Sequence, residues 1–208
     1  MTKGIKAPGA PIRKKTAIIL SGGRSSRMGV NKAMLELNGK PLIEIMLDKV
    51  LAFDEILVST NTMDEYAYLE ERGVRLVKDI IPHQGPLSGI HAGLSCADAE
   101  CAAVLPCDMP LVPAALVRYL SEIADRSDGF DAVVPVTERA YQPLCAVYRK
   151  TCIGFIEKNL AKGINKASAM LSCVRVREVG GAEMARFGDI HDMFRNVNDF
   201  ESFAGLRA

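Results

Sequence analysis

Short apolar runs and amphipathic segments alternate along most of this chain. Thr16–Leu20 and Glu55–Thr60 are short, largely apolar and rich in β-branched residues, as buried strands are. Leu42–Leu51 instead repeats its apolar residues at helical spacing. The same criteria predict further strands at 74–77, 101–105, 132–136, 144–148 and 174–179, an extended segment at 194–197, and further helices at 64–71, 85–97, 112–124, 152–160 and 199–206.

Alternation of this kind predicts the fold class. Repeated β-α-β units favour a parallel sheet covered by helices on both faces. We therefore expect a single three-layer, Rossmann-like α/β domain over residues 16–208 with a mostly parallel sheet, since no internal repeat or low-complexity linker divides the 208 residues. Residues 1–15 carry five cations and two prolines without an apolar stretch, so they are predicted to be a flexible basic tail rather than a secretory signal.

Composition and charge narrow the classes of partner. A formal net charge of +1 gives no general attraction to nucleic acid or anionic membranes, and no apolar run reaches the length of a membrane span. The six cysteines contain no C-x-x-C pair, which favours reduced thiols in a cytoplasmic protein. Cys96, Cys101 and Cys107 have no histidine at metal-ligand spacing, so they are interpreted as core thiols.

The segment Leu20–Lys32 (LSGGRSSRMGVNK), directly after the first predicted strand, carries the strongest chemical signal. Gly22 and Gly23 let backbone N–H groups approach a ligand, and Arg27 and Lys32 can neutralise a polyanion. An ordinary surface turn is the alternative, but the position after the strand and the two spaced cations favour a nucleoside triphosphate. The segment lacks both the GK[ST] ending of a P-loop and the G-x-G-x-x-G pattern, which disfavours those two classes.

Other polar residues follow later strands. Ligands of an open parallel sheet bind beyond the carboxyl ends of its strands, where Asp79 and Asp108 are predicted to lie. Asp108 stands between prolines and suits Mg²⁺, although it could instead cap the helix predicted at 112–124. Asp79 alone could be a turn residue, and so could the polar residues beside the later strands, Gln142, Asn196 and Asn198.

These parts suit nucleotidyl transfer, in which a phosphate oxyanion attacks the α-phosphorus of a nucleoside triphosphate and pyrophosphate leaves. An attacker that is already an anion needs little acid–base catalysis, so positioning and charge neutralisation dominate. Lys32 and Arg27 would hold the β- and γ-phosphates. Mg²⁺ on Asp108 would act as a Lewis acid on the α-phosphate.

The segment Leu20–Lys32 resembles the L-A-G-G-x-S-x-R-M-G-x-x-K signature of the molybdenum cofactor guanylyltransferases, which have the nucleotide-diphospho-sugar transferase type of fold. The resemblance covers about residues 16–206 in the same order. Its further motifs are LELNGKPLIE at 35–44, GPLSG at 85–89, PCDMP at 106–110, YQPL at 141–144 and FRNVN at 194–198.

The resemblance implies transfer of GMP from GTP to the terminal phosphate of molybdopterin, with Mg²⁺ as cofactor. It also implies transient contacts with proteins that insert molybdenum and with molybdoenzymes. Arg27, Lys32 and Asp108 would be catalytic, and Asp108 would bind the metal. The pterin side would be bound by Gln142, Asn196 and Asn198. The nucleotide would be bound by Leu20, Ser21, Gly22, Gly23, Lys32, Asn61, Asp79 and Asp108.

Two positions depart from the family pattern. Ser21 replaces the usual alanine, a change between small residues for which little effect is expected. Ser59 stands where some members carry an asparagine near the nucleotide, and Asn61 is the candidate to substitute for it.

Three rival functions stay open. A molybdopterin cytidylyltransferase would carry a loop resembling L-A-A-G, so the Gly22–Gly23 pair favours guanine. Sugar-1-phosphate nucleotidyltransferases share the loop. A non-catalytic adaptor for cofactor delivery is disfavoured because Arg27, Lys32 and Asp108 are all present.

Overall fold

A computed structural model of the chain describes residues 13–22, 31–80, 85–138 and 140–197. Its strands are β1 Thr16–Leu20, β2 Glu36–Leu37, β3 Lys40–Pro41, β4 Glu55–Ser59, β5 Arg75–Val77, β6 Cys101–Pro106, β7 Ala132–Pro135, β8 Ala146–Arg149 and β9 Val176–Val179. The α-helices are α1 Leu42–Val50, α2 Pro86–Cys96, α3 Ala114–Arg126, α4 Ile153–Ala161, α5 Ala167–Leu171, α6 Gly181–Met184 and α7 Ile190–Met193. Within the described residues, 3₁₀ helices cover Lys32–Met34, Met63–Arg72, Lys150–Cys152 and Ala185–Phe187.

Seven strands form one sheet in the order β5-β4-β1-β6-β8-β7-β9. β5, β4, β1 and β6 are parallel neighbours, and β7 pairs in parallel with β9. β8 runs antiparallel to β6 and β7, because a hairpin rather than a helix connects it to β7. The predicted mostly parallel sheet is confirmed.

The two faces of β1 build two separate cores. Its side chains alternate across the sheet, as the period of a strand requires. Ala17 and Ile19 belong to a core that includes residues of α1 and α3, whereas Ile18 and Leu20 belong to one that includes residues of α2 and α4. All four side chains are buried, so the strand is covered on both faces and the predicted three layers are confirmed.

Several predicted elements differ from those observed. The segment predicted as a helix at 64–71 is the 3₁₀ helix Met63–Arg72. Residues 194–197 were predicted to be extended, yet they form no strand after α7, and the helix predicted at 199–206 lies outside the described residues. The Asn38–Gly39 turn joins β2 to β3 with positive φ at both residues, as its sequence predicts.

The predicted tail is described only from residue 13 onward. Its last three residues contact acidic side chains of the domain. The Lys15 N–H donates to Asp54 Oδ2 at 2.8 Å, and Arg13 Nη1 lies 2.9 Å from Asp128 Oδ1. Because the Arg13 pair is exposed, it contributes little stability. Among the described residues, no helix combines the length and hydrophobicity that a bilayer span requires.

Helix α2 lies unusually close to β1 because it carries glycine where the two elements meet. A Cβ added to Gly93 would lie 2.7 Å from Cδ1 of Ile18, a side chain that is fully buried. Such a distance is shorter than van der Waals contact, so the Ile18 side chain could not keep its position. The small-residue helix predicted at this position therefore packs directly on the sheet.

Gly93→Ala should destabilise the protein. Overpacking a core costs about 1–3 kcal/mol, and the entropic gain from replacing a helical glycine returns only about 0.5–1 kcal/mol. Gly154→Ala in α4 is the matched control. It meets no described atom within 4 Å and should stabilise by the smaller amount alone. Urea unfolding of both variants measures the difference, and equal effects would contradict close packing at Gly93.

Candidate functional site

The carboxyl ends of adjacent parallel strands meet at one edge of the sheet. The Ser21 N–H, just after β1, donates to the Ser59 carbonyl at the end of β4 at 2.8 Å. The Cys107 N–H, just after β6, donates to the Leu20 carbonyl at 3.1 Å. The residues that follow these strands are therefore held side by side, as the sequence predicts for a ligand site.

Asp79, after β5, is held by two side chains from the end of β4. Ser59 Oγ donates to its Oδ1 at 3.2 Å, and Asn61 Nδ2 donates to its Oδ2 at 3.0 Å. Ser59 is buried and Asp79 is partly buried. Asp79 is thus an oriented carboxylate rather than a simple turn residue. Ser59, at the position of the family's asparagine, orients it together with Asn61.

Asn61 leaves a hydrogen-bond acceptor available at this end of the edge. Its Oδ1 is buried and has no hydrogen-bond partner among the described residues. Native proteins rarely leave such an atom unpaired, so it indicates a missing donor. A Cβ added to Gly22 would lie 3.9 Å from Asn61 Nδ2, so Gly22 borders the same space. The structure therefore brings Leu20, Ser21, Gly22, Asn61 and Asp79 together.

Asp108 lies at the end of β6 and is partly buried. Burial raises the pKa of its carboxyl, and the nearby Lys32 cation lowers it in part. Its backbone carbonyl accepts a hydrogen bond from the Val197 N–H at 2.8 Å. Asp108 does not cap a helix, because α3 begins six residues later at Ala114 and has Pro113 as its N-cap.

The chemistry of this site suits a cation that arrives with phosphates. Within the described part of the chain, no three His, Cys, Asp or Glu side chains come together to hold a metal ion. A single carboxylate with a burial-raised pKa, beside a lysine, matches Mg²⁺, which takes one or two protein carboxylates and completes its shell with phosphate oxygens and water. Asp108 would be that ligand.

The Cys107 thiol next to Asp108 is not a nucleophile. Burial raises its pKa to about 12, while a hydrogen bond from Ser21 acts in the opposite direction. A thiol with such a pKa is protonated and unreactive at neutral pH. The six cysteines are free thiols, but Cys96 and Cys173 are exposed, so the interpretation as core thiols is wrong for Cys96.

Two of the predicted acceptor-side residues are described. Asn196 is exposed and directly precedes Val197, so it lies beside Asp108. Gln142 lies at the same edge of the sheet, where its N–H donates to the Pro135 carbonyl at 2.9 Å. The remaining predicted residues, Gly23, Arg27 and Asn198, lie outside the described residues.

Sequence reasoning missed Tyr66, which lies in the 3₁₀ helix Met63–Arg72. Its side chain is fully buried, and its hydroxyl contacts Ser21 Oγ and Asn31 Nδ2. Asn31 in turn caps the 3₁₀ helix that begins at Lys32. An aromatic residue in an otherwise acidic segment is a weak signal, because only the folded chain shows which groups its hydroxyl reaches.

The chain is similar to proteins of one family along most of its length. The family described as MobA-like NTP transferase domain matches residues 17–177. The chain is 39% identical to a probable molybdenum cofactor guanylyltransferase of Clostridium perfringens (strain 13 / Type A), covering 93% of this chain and 96% of the relative. It is 34% identical to the molybdenum cofactor guanylyltransferase of Desulfosudis oleivorans, covering 93% and 94%.

Solved structures give the same result. Molybdopterin-guanine dinucleotide biosynthesis protein A from Archaeoglobus fulgidus aligns with a TM-score of 0.80 and 25% identity, covering 93% of this chain and 96% of that chain. CMP:2-keto-3-deoxy-manno-octonic acid synthetase, complexed with CTP, aligns with a TM-score of 0.69 at 12% identity, covering 93% and 97%. The second likeness shows the fold alone.

Asp108→Asn should stabilise the protein at neutral pH in the absence of metal and nucleotide. Because burial raises the folded-state pKa of Asp108, the fold favours the neutral carboxyl. In the wild type, the stabilisation that comes from the neutral Asp108 carboxyl is complete below the unfolded-state pKa. It is lost as the pH rises through the folded-state pKa. The advantage of the variant should therefore grow from acid to neutral pH, as measured by urea unfolding in EDTA. Asp64→Asn, at an exposed carboxylate, is the control. A difference in the free energy of unfolding between Asp108→Asn and the wild type that does not change with pH would contradict the expectation.

Proposed function

The chain belongs to the family of MobA-like NTP transferases and is a nucleotidyltransferase, and from this premise we propose that it transfers GMP from GTP to the terminal phosphate of molybdopterin. The products would be molybdopterin guanine dinucleotide and pyrophosphate. The names of its relatives support this choice of substrates. The structural observation that best supports this proposal is the order of chemical groups along the sheet edge.

That order matches a nucleotide lying across the strands. Asp79 follows β5 and Asn61 follows β4, so these oxygen acceptors lie at one side of the edge. Gly22 follows β1 and Asp108 follows β6, so the groups proposed to bind phosphate lie beside them. Neighbouring strands are about 4.8 Å apart, so β4 and β6 are separated by roughly 10 Å. Gln142 continues the row on the far side, next to β8.

The acceptors at the β4–β5 end favour guanine over cytosine. Guanine presents an amino group beside a ring N–H, which are adjacent donors, and Asp79 and Asn61 Oδ1 offer adjacent acceptors. Cytosine would place its own acceptors, the ring nitrogen and carbonyl, next to its single amino donor. With the amino group on one protein oxygen, at least one of these acceptors would face the other, which is unfavourable.

Catalysis would depend on charge placement. Lys32 would neutralise the β- and γ-phosphates and so stabilise the departing pyrophosphate, with Arg27 proposed for the same task. Nucleotidyltransferases of this family generally use a divalent metal, and we assign Mg²⁺ to Asp108. When bound there, the ion supplies Lewis-acid chemistry at the α-phosphate. Direct attack by the acceptor phosphate needs no protein nucleophile, and the protonated Cys107 thiol offers none.

The acceptor would approach from the β6–β8 side. Asn196 lies next to Asp108, and Gln142 lies further along the same edge. Both side chains can donate and accept hydrogen bonds, as a pterin requires. Asn198 is proposed for the same surface. A cytoplasmic location and transient contacts with proteins of molybdenum insertion and with molybdoenzymes are further proposals.

The nucleotide and acceptor are tested together by supplying the purified protein and Mg²⁺ with different substrates. With molybdopterin and GTP we expect pyrophosphate and the guanine dinucleotide; with CTP we expect neither. Product from CTP alone would replace the guanylyl assignment with a cytidylyl one. Pyrophosphate formed only when a sugar 1-phosphate replaces molybdopterin would indicate a sugar nucleotidyltransferase, and inactivity with every pair would favour an adaptor.

Asp79→Asn should weaken GTP use selectively. The substitution keeps the shape of the side chain but removes the charge and one acceptor, and hydrogen bonds to charged groups contribute about 1.5–3 kcal/mol. We expect kcat/KM for GTP to fall by roughly 10- to 100-fold. Asp64→Asn, an exposed change of the same chemistry, should leave it unaltered. A normal kcat/KM in Asp79→Asn would remove Asp79 from the nucleotide site.

A further inference from the structure

The Tyr66 hydroxyl links two segments that the proposed function uses. It contacts Ser21 Oγ, just after β1, and lies 2.7 Å from Asn31 Nδ2, just before Lys32. The ring is fully buried. A phenylalanine would fill almost the same volume, so packing alone does not require the hydroxyl.

The orientation of the Asn31 amide constrains the hydrogen bonds of this network. Its Oδ1 accepts from the Ala33 N–H at 3.1 Å, which fixes the orientation of the amide. Its Nδ2 therefore donates, to the Tyr66 oxygen and to Glu65. Tyr66 accepts from Asn31 and has a single proton, and the arrangement that pairs this proton is donation to Ser21 Oγ. Burial raises the pKa of the phenol, which keeps this proton in place.

Ser21 is consequently more than a small residue that replaces alanine. Among the described residues, the Ser21 hydroxyl is the acceptor for the proton of the buried Tyr66 hydroxyl. Alanine at this position would leave that donor buried and unpaired, which costs considerably more than exchanging two solvated groups. The serine and the tyrosine form a matched pair. We therefore expect replacement of Ser21 to have more effect than the family pattern alone implies.

We propose that Tyr66 is a positioning residue that fixes Lys32, through Asn31, relative to the end of β1. The inference rests on the proposed function, because it assigns the Lys32 ammonium to the β- and γ-phosphates. Asn31 transmits the constraint because the same side chain caps the 3₁₀ helix in which Lys32 is the first residue. Without the phenol, Asn31 would lose the partner that ties it to Ser21.

Binding of GTP and of GMP to Tyr66→Phe, measured by calorimetry, distinguishes positioning from general loosening. GMP keeps the base and the α-phosphate but lacks the phosphates assigned to Lys32. We expect GTP affinity to fall on the order of tenfold, since small misplacements of a binding group have large effects, and GMP affinity to stay unchanged. Tyr68→Phe is the control. Tyr68 lies on the same 3₁₀ helix with 43% of its surface exposed, and it should change neither affinity.

Two double variants complete the test. In a Lys32→Ala background, Tyr66→Phe should cause no further loss of GTP affinity, because the residue on which it acts is absent. Ser21→Ala should lower the midpoint of thermal unfolding, and adding Tyr66→Phe should restore part of the loss by removing the unpaired donor. Restoration would support the matched pair, whereas additive losses would contradict it.

The other outcomes are also decisive. Equal losses of GTP and GMP affinity, or no loss of either, would overturn the positioning role. If the wild-type protein binds CTP in place of GTP, the proposed guanine specificity fails, and the same comparison with CTP and CMP still tests Tyr66. If the wild type binds GTP no more tightly than GMP, Lys32 does not engage the outer phosphates and the inference falls with that assignment.

Discussion

The parallel pairing of β1 with both β4 and β6 is the constraint on which the site depends. Leu20 aligns with Ser59 on one side and with Pro106 on the other, so three strands end at the same level. Polar residues that are far apart in sequence therefore follow one another across a single edge. A shift of the register by one residue would also turn every β1 side chain toward the opposite core.

Much of this arrangement could be predicted from the sequence because it depends on local patterns. Short β-branched runs, such as Thr16–Leu20, identify buried strands, and a carboxylate directly after such a run must lie at the rim. Asp79 and Asp108 were predicted on that basis, and both lie there. Gly93 belongs to a small-residue helix, and such helices can approach a sheet closely.

What the sequence could not reveal depends on distant partners. Tyr66 and Ser21 are 45 residues apart, and neither carries a signal of the other. The sequence marks Ser59 only as a departure from a family pattern, yet its side chain donates to Asp79 and orients it. The segment Met63–Arg72 satisfies the pattern of an α-helix, and its 3₁₀ geometry places Tyr66 inward by tertiary packing. Each of these contacts depends on chain segments that come together only in the folded protein.

The row of groups from β5 to β8 has a consequence for the product. Each substrate would occupy only one side of the row, whereas the finished dinucleotide would extend over both and keep the contacts of both. Departure of pyrophosphate would remove the charges proposed for Lys32 to hold, but none of the contacts proposed for the base or the pterin. Such an enzyme would retain its product, and transfer to a receiving protein, rather than free diffusion, would be the natural exit.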